Sequence, residues 1–266
     1  MAACPAFRSW LFPGLFVFLL ELTIFSLSLL LLLLSNRLDY LHWIEDLLGP
    51  TSRNNPNVVG IDVGSGASCI YPLLGSALNR WHFYATESNQ QSYEYCCRNA
   101  SLRSATIDCL KVSEDAASIL PYSDIEAFDF VVCNPPFDTQ GSDNDNREIV
   151  AAVGATSPDR HLGKPWELMS KGGEITMLNR LLDESVKLPL SYVKGTCTKS
   201  PVFSMLIGRV SSLPVARKVL EDAKTRGELE WWREHCMKQG RTERWAIAWS
   251  PALMECHVPE EGDGLV

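Results

Sequence analysis

Apolar and polar positions divide the chain into short buried runs separated by helical stretches. Leu11 to Leu34 is a predominantly apolar run of 24 residues with a single charge, Glu21. Next comes RLDYLHWIEDLLG (37–49), with apolar residues at 38, 41, 44, 47 and 48. That is helical spacing, stopped by Gly49-Pro50. Thr51–Asn57 is a polar linker. Val58–Val63 predicts a buried strand, and GSGAS follows it. Cys69–Leu78 predicts a helix, Trp81–Thr86 a strand ending at Glu87, and Gln90–Asn99 a helix. Thr106–Val112 and Phe128–Cys133 predict a third and a fourth strand. Strands alternating with helices imply a parallel, doubly wound α/β sheet of Rossmann-like type.

Further along, Asp138–Pro165 is polar with little periodicity and reads as a mobile loop. Trp166–Leu188 contains SKGGE, a helix stop and restart. Phe203–Gly208 predicts a fifth strand, Leu213–Lys224 a helix and Arg244–Trp249 a late strand. Segment 189–202 fits no element. The organisation is therefore a hydrophobic segment over 1–35, one α/β domain over 36–250, and a disordered tail over 251–266.

Composition narrows the function classes. The 266 residues carry a net charge of −8. A free-standing nucleic-acid binder shows a basic surplus, so RNA contact here requires a local patch or a further module. The nine cysteines, an odd number, form no CxxC pair and no Cys/His ligand spacing. Reduced thiols without a metal are the expectation. The run at residues 11–34 is long enough to span a bilayer. Two readings of it stay open: a membrane anchor, or an artefact of a misplaced exon boundary.

The candidate chemistry lies at the ends of the predicted strands. Asp62-Val63-Gly64-Ser65-Gly66-Ala67-Ser68 closes the first. Its glycines let backbone pass close to a ligand, and the helix that follows begins with unpaired N–H groups. Glu87 ends the second strand, where a carboxylate accepts hydrogen bonds from both ribose hydroxyls. The third glycine of a pyrophosphate-binding turn is missing, which favours a nucleoside without a pyrophosphate, and S-adenosylmethionine fits. At the fourth strand stands Asn134-Pro135-Pro136-Phe137. The prolines hold Asn134 rigidly. Its amide oxygen and the Pro135 carbonyl can accept the hydrogens of a planar amine, with Phe137 stacking on a base. An unpaired or flipped base is required. The five histidines show no catalytic spacing.

GIDVGSGASCIYPLLGSALN (60–79), ATE (85–87) and CNPPF (133–137) resemble the methyltransferase-like protein 16 family. So do LDYLHWIEDLLG (38–49), ELMSKGGE (167–174) and QGRTERWAIAWS (239–250). That family comprises adenine-N6 methyltransferases of U6 small nuclear RNA and of 23S ribosomal RNA. The resemblance implies S-adenosylmethionine contacts at Arg37, Gly64, Ser68, Glu87 and Asn134, and an adenine held by Asn134 to Phe137. With Asp62 and Gly66 from the first turn, these are the candidate site residues. The resemblance further implies a monomer, an RNA partner with an unpaired adenine, no metal, and a nuclear or cytoplasmic location. A single-pass membrane location follows instead if residues 11–34 are genuine.

The chain departs from that family in three ways. The apolar run replaces a basic amino-terminal module. Asp138–Pro165, basic in the family, holds five acids against Arg147, Arg160 and Lys164. A family hydroxyl contact falls at Ala116. Two alternatives therefore remain: a non-catalytic or truncated, membrane-tethered member, and a protein glutamine N5-methyltransferase.

Overall fold

A computed structural model describes residues 27–103, 105–113, 115–135, 173–239 and 242–253. Helix α1 (Leu27–Leu48) is followed by β1 (Val59–Val63), α2 (Ile70–Asn79), β2 (His82–Glu87), α3 (Gln90–Ala100), β3 (Ile107–Lys111) and β4 (Phe130–Cys133). Then come α4 (Gly173–Val186), β5 (Val202–Ile207), α5 (Leu213–Thr225), β6 (Leu229–Gln239) and β7 (Thr242–Pro251). The seven strands form one sheet in the order β3-β2-β1-β4-β5-β7-β6. The first five run parallel, and β7 pairs antiparallel with both β5 and β6.

The central strands follow from their composition. VGIDV and FVVC are buried along their whole length, as strands covered on both faces must be. On one face lie Leu178, Leu181 and Leu182 of α4 with Leu213, Ala216, Leu220 and Ala223 of α5, packed on Phe128, Val131, Phe203 and Trp249. On the other, Tyr40, Leu41, Ile44 and Leu48 of α1 and Tyr71 and Leu74 of α2 cover Trp81, Phe83, Phe130 and Val132. A buried chain of hydroxyls fastens α1 to the sheet: Tyr40 Oη lies 2.8 Å from Ser204 Oγ, which donates to the Val131 carbonyl at 2.9 Å.

Three features depart from the pattern read off the chain. First, α1 is already helical at Leu27, the first described residue, so the carboxyl-terminal third of the apolar run is continuous with the amphipathic helix instead of preceding it. Among the described residues no helix is long and apolar enough to cross a membrane. Residues 11–26 lie outside them, as do the loop 138–165 and most of the tail. Second, Leu229–Gln239, to which the pattern assigns no element, is β6. It is an edge strand with Glu230, Arg233, Glu234 and Lys238 exposed, and charges of this kind protect an edge from pairing with another chain. Third, segment 189–202 has a role. Phe128 bridges Val193 in parallel, and the Phe128 N–H donates to the Tyr192 carbonyl at 3.0 Å. Asp129, the one acid in the fourth strand's apolar run, is buried and accepts from the Val59 N–H at 2.9 Å and the Thr196 N–H at 2.7 Å. Its carboxylate ties β1, β4 and this segment together.

Candidate active site

The strand order reverses between β1 and β4, and ligands of open α/β sheets bind beyond the carboxyl ends of strands at such a point. Register fixes what stands there. Val63 pairs with Thr86 on one side and with Cys133 on the other. The next residue of each strand is therefore Glu87, Gly64 and Asn134, at one level across three adjacent strands. Two strand spacings separate the outer pair, about 10 Å.

The turn after β1 is held from β2. The Ser65 N–H donates to the Thr86 carbonyl at 2.8 Å, and the Gly64 N–H to Thr86 Oγ1 at 3.3 Å. The Thr86 hydroxyl donates to the Asp62 carbonyl at 3.1 Å. Gly64 and Gly66 adopt φ of +71° and +63°, a region that favours glycine. Among the described residues, no atom beyond the flanking residues lies within 4 Å of where a Cβ on either would stand, so they leave open space at the turn.

Glu87 is 8% exposed. Its Oε2 accepts from the Gly66 N–H at 2.9 Å, and its Oε1 from the Asn89 N–H at 2.8 Å. Each oxygen keeps acceptor capacity for a further hydrogen bond. Asp62 is buried beside it with Oδ2 unpartnered. Burial pushes its carboxyl up to about 7, the Ser65 hydroxyl opposes that rise, and the Glu87 charge adds to it. Asn134 Oδ1 is likewise buried without a partner, and Pro135 beside it is buried. Unpaired buried oxygens are uncommon in folded proteins and call for a ligand or a function.

A cationic corner completes the site. Arg37 on α1 and Arg244 on β7 both act electrostatically on the buried Tyr71 hydroxyl, which also feels Asp62. Burial first, and then the Arg37 charge, lower the Arg244 pKa, and its Nε has no hydrogen-bond partner. The chain pattern places Arg244 only at the start of a late strand. Its membership of RWAIAWS is the signal that marks it. Ser68 is exposed at the entry to α2. Of the expected residues, Arg37, Asp62, Gly64, Gly66, Ser68, Glu87, Asn134 and Pro135 are described and border the carboxyl edge, whereas Pro136 and Phe137 lie outside the described residues.

Comparison with known proteins identifies the family. The model of the family Methyltransf_10, described as RNA methyltransferase, matches residues 20–252. The chain belongs to this family. It is 33% identical over 227 residues to human RNA N(6)-adenosine-methyltransferase METTL16, covering 80% of this chain and 37% of that protein. A Drosophila melanogaster relative, U6 small nuclear RNA (adenine-(43)-N(6))-methyltransferase, is 30% identical over 229 residues, covering 82% of this chain and 69% of its own length. Among solved structures, the N-terminal domain of human METTL16 in complex with SAH superposes with a TM-score of 0.57 at 31% identity, covering 80% of this chain and 69% of that one. The fold is the α/β fold expected from the strand pattern, in the methyltransferase form that the family resemblance implied. The chain spans well under half the length of the human relative.

Proposed function

We propose that this member of the RNA methyltransferase family transfers a methyl group from S-adenosylmethionine to N6 of an unpaired adenine in a structured RNA such as U6 small nuclear or ribosomal RNA. The row Glu87–Gly64–Asn134 carries the reading, with unpaired buried oxygens at Asp62 and Asn134. Residues 36–250 form the catalytic unit, which works as a monomer in nucleus or cytoplasm.

These residues fit the cofactor. Glu87 accepts from ribose hydroxyls while its backbone donors hold it in place. Gly64 and Gly66 leave the turn open to close approach, with Ser68 at its end. Arg37 and Arg244 balance a carboxylate. When bound, S-adenosylmethionine supplies a methyl group on an electron-poor sulfur, displaced in line by a nitrogen lone pair. The chain's own task is positional. Asn134 Oδ1 and the Pro135 carbonyl accept the two N6 hydrogens. This draws the lone pair out of conjugation with the ring and aims it. Phe137 stacks on the base. The proton lost from nitrogen passes to water.

The test is transfer of labelled methyl groups to a short hairpin with one unpaired adenine. The same hairpin bearing purine, which lacks the amino group, and a glutamine-containing peptide serve as comparisons. Label in the adenine hairpin alone is expected. Label in the peptide alone, or none in any acceptor while the cofactor binds, would overturn the proposal.

A further inference from the structure

Behind the glycine turn, three elements bring sulfur to one place. Cys69 is the residue before α2, with φ 53° and ψ 34°. Cys96 lies on the buried face of α3, and Cys109 lies in β3. Their Sγ atoms all lie within 4.8 Å of one another, and the Cys96–Cys109 pair is 3.7 Å apart. Cys69 and Cys96 are fully buried, while Cys109 is half-buried and leaves a path from solvent. The three residues are far apart in the chain and show no ligand spacing, so only the fold makes the cluster visible.

The separation suits a shared cation. A disulfide needs sulfurs about 2.0 Å apart, well short of what is seen. Thiolates each about 2.3 Å from one metal ion stand roughly 3.8–4.0 Å from each other. No carboxylate or imidazole joins the cluster among the described residues, so the donor set is wholly soft and suits a thiophilic ion. Three thiolates around a divalent ion leave one negative charge. That charge falls at the amino-terminal end of α2, where the helix dipole is positive. Cys97 is half-buried and its thiol reaches toward Cys109, but it does not join the three sulfurs that all lie within 4.8 Å of one another.

We propose that Cys69, Cys96 and Cys109 form a three-thiolate site for a zinc-class divalent cation, with water in the fourth position. Each thiol passes its proton to solvent as it ligates, so uptake releases up to three protons. The bound ion would staple α2, α3 and β3 together directly behind the turn Gly64–Ser68. The rival reading is a small apolar core of thiols among Leu73, Ala85, Ala100 and Ile107. In that case the sulfurs act as small hydrophobes.

The experiment titrates the full, reduced chain with zinc(II), and with cobalt(II) as its spectroscopic stand-in, without oxygen. Expected are one ion per chain, a thiolate-to-cobalt charge-transfer band with the ligand-field absorption of a four-coordinate ion, and a higher Tm with zinc. Cys96→Ser and Cys109→Ser should each weaken binding at least tenfold and lose the band, whereas Cys97→Ser and Cys236→Ser keep it. If the serine variants fail to fold, the native chain still decides: zinc should slow alkylation of Cys109 at least tenfold. Absence of a band with unchanged alkylation would overturn the site. So would a band that survives in Cys96→Ser and Cys109→Ser, or one lost in Cys97→Ser. A Cys96–Cys109 disulfide in the chain purified without reductant would reassign the pair to redox chemistry.

Discussion

Replacing Glu87 by Gln tests the ribose subsite with almost no change in shape. Both carboxylate oxygens already accept backbone N–H groups, Gly66 at 2.9 Å and Asn89 at 2.8 Å. A glutamine brings one oxygen and one NH2, so in either orientation an N–H faces an N–H. Two losses follow. One backbone donor loses its acceptor, at about 1–3 kcal/mol of stability. Against a typical ~5–15 kcal/mol, that leaves the domain folded with a lower Tm. The ribose also loses a charged acceptor worth about 1.5–3 kcal/mol, which raises Kd roughly 10- to 150-fold. Calorimetry with S-adenosylhomocysteine on both chains, beside thermal melts, separates the two effects. A variant that melts cooperatively and binds within twofold of the parent would refute the placement of the ribose at Glu87.

Asn134→Ala should lower methyl transfer at saturating cofactor by about 100-fold or more while the domain still melts cooperatively; single-turnover labelling and thermal melts on one preparation check this. Asp62 gives a pH dependence. Its folded pKa, raised to about 7 by burial, means that the folded state holds a proton the unfolded state releases near pH 4. Its contribution is therefore fully present below about pH 4 and lost as pH rises through 7, which amounts to about 2 kcal/mol between pH 5 and 7. Denaturant melts of the ligand-free chain should show this slope, and Asp62→Asn should abolish it. Asp129→Ala should orphan the Val59 and Thr196 N–H groups and cost about 2–6 kcal/mol, read from the shift in urea midpoint; a loss under 1 kcal/mol would contradict the tie across β1, β4 and segment 189–202.

What could be read from the chain was whatever local chemistry punctuates. Gly64 and Gly66 must leave the ordinary backbone region, Pro135 and Pro136 end a strand, and VGIDV and FVVC are too apolar to lie anywhere but the centre of a sheet. Glu87 and Asn134 stand where those signals place them. What escaped depends on partners distant in sequence. Asp129 looks like an interruption of an apolar run until Val59 and Thr196 arrive to use both of its oxygens. β6 carries charges at four exposed positions, so its hydropathy resembles a loop, and only pairing with β7 makes it a strand. Arg244 gains meaning from the Arg37 charge beside it, and no periodicity links a helix at one end of the domain to a strand at the other.

That last pairing bears on how the protein is made. Arg37 belongs to the first helix of the domain and Arg244 to its last strand, and between them lies every other element of the sheet. A ribosome releases the amino-terminal part first, at about 5–20 residues per second. The nascent chain therefore has Glu87 and the glycine turn well before it has its second arginine. Trp43, stacked on His235 at 5.3 Å, waits just as long for its partner. During synthesis α1 must leave one flank uncovered until β6 and β7 emerge. Any shortened transcript that ends before residue 242 would leave that flank bare and half of the cationic corner missing.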